Sequence, residues 1–185
     1  MKIYVMRHGL TVWNEKGIIQ GRSKNMLSKT GKNLVEKVAK DLTKGIFDII
    51  FTSPLMRTMQ TSNIVNEFQK VKIIKDKRLI EIDKGIFTKR LKSTLTEKEK
   101  LLKNNADKNT KMESYQEVFD RVLDFVNFIK NTSYKNILIV THNIVASYIE
   151  NILLNKNFDL KKSEDNAKFD NAQIKCFEIK INDKY

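Results

Sequence analysis

The sequence predicts an α/β domain, a three-layer α/β/α sandwich built on a mostly parallel sheet. Three observations carry that reading. Short runs rich in Ile, Val and Phe, the composition of strands buried on both faces, recur at residues 2–6, 48–52, 71–74 and 136–141. Between them lie longer stretches whose apolar residues recur at three- and four-residue spacing, the period of a helix with one buried face. Finally, the chain has two histidines, and each directly follows one of these runs: His8 after "KIYVM" and Arg7, His142 after "NILIVT". In such sheets ligands gather beyond the carboxyl ends of the strands.

The elements follow in order. "KIYVM" (2–6) is the first strand, and residues 7–27, with glycines at 9, 17 and 21 and no period, read as loop. Ser28 opens a helix whose stripe is Leu34, Val35, Val38, Ala39 and Leu42, with Gly45 just past its end. "DIIFT" (48–52) is the second strand. Ser53 is expected to cap the next helix, with Pro54 at its first position, where a missing N–H costs nothing. "VKII" (71–74) is the third strand. Residues 84–112 are Lys-, Asn- and Thr-rich with one short helical stretch near 95–103, and read as a lid insertion in a single domain spanning 1–185. A helix follows over about 114–131, started by the capping box Ser114-x-x-Glu117 and striped by Val118, Val122, Phe125, Val126 and Ile129. "NILIVT" is the fourth strand, "IVASYIENILL" the last helix and "QIKCFEIKI" the last strand.

Composition narrows the function classes. A chain of 185 residues, 41% hydrophobic, can bury a core without disulfides, and its single cysteine, Cys176, has no internal partner. No apolar run approaches the roughly 18 residues of a membrane span, and no secretory h-region follows Met1, so the chain reads as cytoplasmic. The net charge of +13 suits an anionic partner. Nucleic acid is not expected, because the 29 lysines are scattered, with no basic run of five and no basic stretch interleaved with aromatics. Two histidines and one cysteine give no zinc spacing, and no carboxylate cluster resembles a calcium loop; neither metal nor cofactor is expected.

If the strands are parallel, Arg7, His8, Ser53, Arg57, Glu81 and His142 gather on one sheet edge. That set suits phosphoryl transfer. Imidazole is nucleophilic near neutral pH. Guanidinium offers paired donors that fit phosphoryl oxygens, and in a chain with only six arginines, arginine at 7 and 57 is informative. A carboxylic acid can protonate a leaving oxygen. A Ser-His-Asp arrangement through Ser53 or Ser147 is conceivable, although no G-x-S-x-G elbow is present.

The motifs resemble those of the histidine phosphatase superfamily, in its phosphoglycerate-mutase-like branch. "MRHGLTVWN" is similar to R-H-G-x-T-x-x-N, "QGRSKNMLSKTG" to Q-G-x-x-D-x-P-L-T-x-x-G, "TSPLMRTMQT" to T-S-x-L-x-R-x-x-Q-T, "LIEIDKG" to L-x-E-x-x-x-G, "IVTHN" to V-T/S-H-G and "FDNAQI" to the start of a late strand. The resemblance implies that His8 is the nucleophile and forms a phosphohistidine. It implies that Arg7, Arg57 and His142 hold the phosphoryl oxygens, that Asn14 adds a contact and that the Gly21 backbone lines the pocket. Glu81 would donate the proton to the leaving group and then activate water, with Asp83 next in line. No metal is implied.

The sequence departs from the pattern at Asn143 and Ile144 after the late histidine, at Lys24 and Met26, at "IFTKR" after Gly85, where a second acidic residue is usual, and at Ser147, where an arginine is common. A short segment between Glu81 and the next helix favours hydrolysis over mutase chemistry. The expectation is therefore a metal-independent phosphatase acting on a small phosphorylated metabolite. The alternatives are phosphoglycerate-mutase-type transfer or a non-catalytic phospho-ligand binding module, with the oligomeric state open.

Overall fold

The computed structural model describes residues 1–162 and 169–179. Its centre is one five-stranded sheet made of β1 (Lys2–Arg7), β2 (Ile49–Thr52), β3 (Lys72–Lys75), β4 (Asn136–Thr141) and β5 (Ile174–Glu178), in the order β3-β2-β4-β1-β5. The first four are mutually parallel, and β5 runs antiparallel beside β1. The expected last strand is thus found over its middle, while residues 180–181 lie outside the described residues.

Strand side chains alternate between two cores, as a period of two requires. Ile3, Val5, Ile49, Phe51, Ile137 and Ile139 face a core completed by α5 (Tyr115–Lys130) and α6 (Asn143–Leu153). Met6, Ile50, Leu138 and Val140 face the opposite core, completed by Val35 and Ala39 of α2 (Lys29–Asp41) and Val65 of α3 (Met56–Gln69). Both faces of the sheet are therefore covered, which explains the near-continuous apolar strand sequences.

Most of the predicted elements appear within a residue or two. Ser28 caps α2, its hydroxyl accepting from the Gly31 N–H at 3.0 Å, and Ser114 and Glu117 form the predicted capping box of α5. A four-residue helix, α1 (Val12–Glu15), interrupts the loop of residues 7–27. The expected start of α3 is corrected. The helix begins at Met56 after Leu55, with no side-chain cap, and Ser53–Pro54 belong to the turn before it. The Ser53 hydroxyl is instead hydrogen-bonded to His142.

Residues 84–112 contain single 3-10 turns at 85–87, 92–94 and 108–110 and the helix α4 (Glu97–Asn104). The segment is tied to the loop after β1 by the Lys89 N–H to the Ile19 carbonyl, the Ile19 N–H to the Arg90 carbonyl and the Lys92 N–H to the Gly17 carbonyl, each 2.9 Å. Ile19, Phe87 and Leu95 form a small apolar cluster beneath it, joined by Leu102 and Met112, and Arg90 pairs with Glu99.

Candidate active site

Strand register brings the chemistry together. Arg7 of β1 lies opposite Thr141 of β4, and Thr52 of β2 opposite Val140, so three strands end at one level. The ladder runs one residue further, with the His8 N–H bonded to the Thr141 carbonyl at 2.9 Å and the Ser53 N–H to the Val140 carbonyl at 3.1 Å. His8, Ser53 and His142 therefore follow three neighbouring strand ends, and Arg57 enters from the first turn of α3. The loop after β1 can pack there only because of two glycines. A Cβ on Gly9 would lie 2.5 Å from Cγ2 of Val35, and one on Gly31 would lie 1.9 Å from the Leu10 carbonyl oxygen.

Arg57, 1% exposed, ties the site together. Its Nε is 3.2 Å from Nε2 of His8 and 3.2 Å from Nδ1 of His142. Its Nη2 donates to the Gly21 carbonyl at 2.9 Å and its Nη1 to the Ser23 carbonyl at 3.3 Å. The two imidazole centroids are 5.2 Å apart. His8 Nδ1 lies 2.7 Å from the Gly9 carbonyl. A carbonyl can only accept, so Nδ1 carries the proton and Nε2 keeps its lone pair. His142, the residue before α6, has Nε2 2.8 Å from the Ser53 hydroxyl, which can serve as donor or acceptor.

Burial dominates the electrostatics. It holds the pKa of His8 well below the ordinary histidine value; the Arg57 and Arg7 charges act in the same direction, and the bond to the Gly9 carbonyl acts against it. His142 is pushed down in the same way by burial, then by Arg57 and His8. Both rings are therefore neutral at neutral pH. Burial also lowers Arg57, to about 10, with Glu81 opposing, and it lowers Arg7, with Glu81 and Asp170 opposing. Both arginines remain charged.

Arg7, His8, Asn14, Gly21, Arg57 and Glu81 all line one cavity of about 540 Å³. Arg7 donates from Nη1 to the Phe169 carbonyl at 2.5 Å, while its buried Nε has no hydrogen-bond partner among the described residues. Asn14 shares a capping box with Thr11, whose N–H and hydroxyl both reach Asn14 Oδ1, so the amide oxygen is engaged and the NH₂ is the group available for an acceptor. Glu81 Oε1 accepts from the Ile82 N–H at 3.0 Å, and the Arg22 Nε donates to the Glu81 carbonyl. Asp83 accepts from the Gly85 N–H and is not among the cavity-lining residues. His142 stands behind Arg57, against Ser53. The Ser-His-Asp alternative does not hold. The second nitrogen of His142 meets a guanidinium instead of a carboxylate, and neither Ser53 nor Ser147 lines the cavity. Among the described residues no three His, Cys, Asp or Glu side chains cluster as a metal site, and no helix is long and apolar enough to cross a membrane.

Sequence reasoning missed several residues. The carbonyls of Ser23 and Phe169 hold the two arginines, and Asn171 Nδ2 donates to the His8 carbonyl at 3.1 Å. Backbone carbonyls leave no mark in residue type, so only the fold could reveal the first two. Lys84, Lys92, Lys100 and Lys103 also line the cavity. Asn143 and Ile144, flagged as departures, line it too, and Asn143 Oδ1 accepts from the Phe169 N–H at 3.2 Å, which fixes the segment that holds Arg7.

The profile of the histidine phosphatase superfamily (branch 1) matches residues 3–184. The chain belongs to this superfamily. A Hydrogenobacter thermophilus relative, provisionally named phosphoserine phosphatase 2, is 31% identical over 147 residues, which is 76% of this chain and 72% of the relative. A Citrobacter koseri protein named "Probable phosphoglycerate mutase GpmB" is 35% identical over 129 residues, covering 66% of this chain and 60% of that one. In fold, Bacillus stearothermophilus YhfR matches with a TM-score of 0.84 at 22% identity, over 97% of this chain and 91% of its own. This superfamily member is thus an enzyme of the histidine phosphatase type, a phosphoric monoester hydrolase, on a phosphoglycerate-mutase-like α/β fold.

Proposed function

We propose that this histidine phosphatase hydrolyses a small phosphorylated metabolite through a phosphohistidine at His8, without a metal. The observation that carries the reading is the tautomer of His8. With Nδ1–H held by the Gly9 carbonyl and the ring neutral, Nε2 is unprotonated, and its lone pair, which accepts from the Arg57 Nε–H at 3.2 Å, is the one that would attack phosphorus.

In the first step the His8 Nε2–phosphorus bond forms as the bond to the leaving oxygen breaks, and protonated Glu81 gives that oxygen its proton. In the second, ionised Glu81 takes a proton from water, the water oxygen bonds to phosphorus, and the nitrogen–phosphorus bond breaks to release inorganic phosphate. Arg7 and Arg57 neutralise the phosphoryl oxygens through both steps, and the orphaned Nε of Arg7 is a donor suited to one of them. The Asn14 amide donates to another. His142, whose Nδ1 accepts from the Arg57 Nε–H while its protonated Nε2 donates to the Ser53 hydroxyl, supports the phosphoryl group by holding Arg57 in place. Two guanidiniums supply the positive charge that a metal would otherwise bring.

The test is phosphate release from a panel of phosphorylated metabolites with EDTA present, comparing wild type with His8→Ala. Release by wild type, reduced at least about 10³-fold in the variant, is the expected result. Release that requires an added divalent ion, or that survives in His8→Ala, would contradict the mechanism. Isomerisation of phosphoglycerates with little release would favour mutase chemistry, the activity in the name of the Citrobacter koseri relative.

A further inference from the structure

Residues 80–84, which carry Glu81, belong to no helix or strand, so their backbone groups must find partners elsewhere. Those partners are side chains from two distant segments. Arg121 of α5 donates from Nη1 to the Arg78 carbonyl at 2.6 Å, and Arg22 donates from Nε to the Glu81 carbonyl at 3.1 Å. The Asp83 N–H lies 3.3 Å from Oε2 of Glu113, whose own N–H donates to the Asp83 carbonyl at 3.2 Å. One carboxylate joins these contacts. Glu113, the residue before the Ser114 cap of α5, takes Arg121 through both oxygens at 3.0 Å each, and pairs with Arg22 Nη2 at 2.8 Å. Its side chain is 13% exposed, and forked, charge-assisted bonds of this kind fix direction as well as distance. Arg22 extends the connection to the phosphoryl site. Its neighbours Gly21 and Ser23 give their carbonyls to Arg57, so residues 21–23 join that guanidinium to the backbone of Glu81. Neither Arg22 nor Glu113 lines the cavity, so what they do for the reaction passes through the residues they hold.

We propose that Glu113 and Arg22 are positioning residues that set where the Glu81 carboxyl stands against the leaving oxygen. The inference rests on the acid role proposed for Glu81. A misplacement of about 1 Å in a reacting group can cost on the order of 10²-fold in rate. A misplaced acid slows the departure of a leaving group that needs a proton. It leaves the departure of p-nitrophenolate, which needs none, nearly untouched. Loss of the Arg22 side chain frees the Glu81 backbone from residues 21–23, while the Gly21 and Ser23 carbonyls still hold Arg57. The phosphoryl contacts therefore survive, and the effect is confined to proton transfer.

The experiment compares kcat/KM for p-nitrophenyl phosphate with kcat/KM for the alkyl phosphate that wild type turns over best, from a panel including benzyl phosphate. This ratio of constants covers the steps through departure of the alcohol and excludes the later attack of water. Glu113→Gln and Arg22→Met are each made in wild type and in Glu81→Gln. The Arg22 side chain is 35% exposed and its replacement leaves the Glu113–Arg121 pair in place, so Arg22→Met carries the test if Glu113→Gln does not fold. In wild type, each substitution should lower the alkyl value at least about tenfold and the p-nitrophenyl value less than about twofold. In Glu81→Gln neither should add more than about twofold, because the group they position is already gone. Equal losses on both esters would overturn the inference, as would a further large loss added to Glu81→Gln, or no loss beside a selective one in Glu81→Gln itself. Failure of the underlying reading is distinct, and takes the inference with it. It would show as wild type that releases no phosphate from any ester, or as Glu81→Gln that loses equally on both.

Discussion

Arg57 shows why residue type matters more than charge in this site. One buried guanidinium reaches both histidines and two loop carbonyls, a set of directions that an ammonium on a flexible stem cannot reproduce. It also helps keep His8 and His142 neutral, so the proposed nucleophile, His8, stays unprotonated at Nε2 at neutral pH. The arginines and histidines of this set were legible in the sequence because each is rare in the chain and follows or flanks a strand end. Ser53 reads from the sequence as a helix cap and as one of the groups on the shared sheet edge, but nothing local to "TSPL" says that its hydroxyl will meet a histidine 89 residues away. Glu81 bears the most direct test of an assigned role. Glu81→Gln should lower kcat by about 10²-fold or more for alkyl phosphates and far less for p-nitrophenyl phosphate, whose leaving group needs no proton. Equal losses on both substrates would take the acid role from Glu81.

At the scale of elements, the position of His8 depends on how the loop after β1 meets α2. Ser28 accepts from the Gly31 N–H, the Leu10 carbonyl takes the Ser28 N–H at 3.0 Å, and Gly9 and Gly31 leave no room for a Cβ between them. Gly31→Ala should therefore push the Leu10 backbone outward, destabilising the fold by about 1–3 kcal/mol and lowering kcat, because Leu10 is two residues from His8. Denaturant unfolding and steady-state kinetics on one preparation check both, and a variant matching wild type in both would show that this approach is not tight. Helix and strand identities were legible because periodicity reports burial, and burial is what the two cores supply. The segment of residues 84–112 was legible as an insertion with one short helix near 95–103, found as α4, but not in how it docks. Its hold on the 17–19 loop is made by backbone hydrogen bonds, and its small core of Ile19, Phe87 and Leu95 joins residues 76 positions apart.

Across the whole molecule, the two buried neutral histidines couple the site to stability. In the unfolded chain each regains a pKa near 6.5, while in the folded protein both lie well below it. As pH falls below about 6.5 the unfolded state takes up protons that the folded state does not, so stability present above that pH is lost, by about 1.4 kcal/mol per pH unit for each histidine. Urea unfolding between pH 7.5 and 5.5 should show this slope, and a folded His8→Gln variant should show about half of it. A flat profile would mean that the histidines are not held neutral by burial. The sheet order, with β4 inserted between β1 and β2, brings residues 8, 53 and 142 together, and no local signal encodes that order.

Covalent phosphorylation of His8 is the central claim, and trapping it is the most direct measurement. Wild type and His8→Ala would be mixed with a radiolabelled phosphomonoester that wild type turns over, quenched in alkali within milliseconds, and the protein-bound label located by peptide mapping. The account predicts label on wild type that is stable in base, labile in acid and confined to the peptide containing His8, and none on His8→Ala. Rapid phosphate release by wild type with no label at any time would instead mean that water attacks the substrate directly, and His8 would lose its place as the nucleophile.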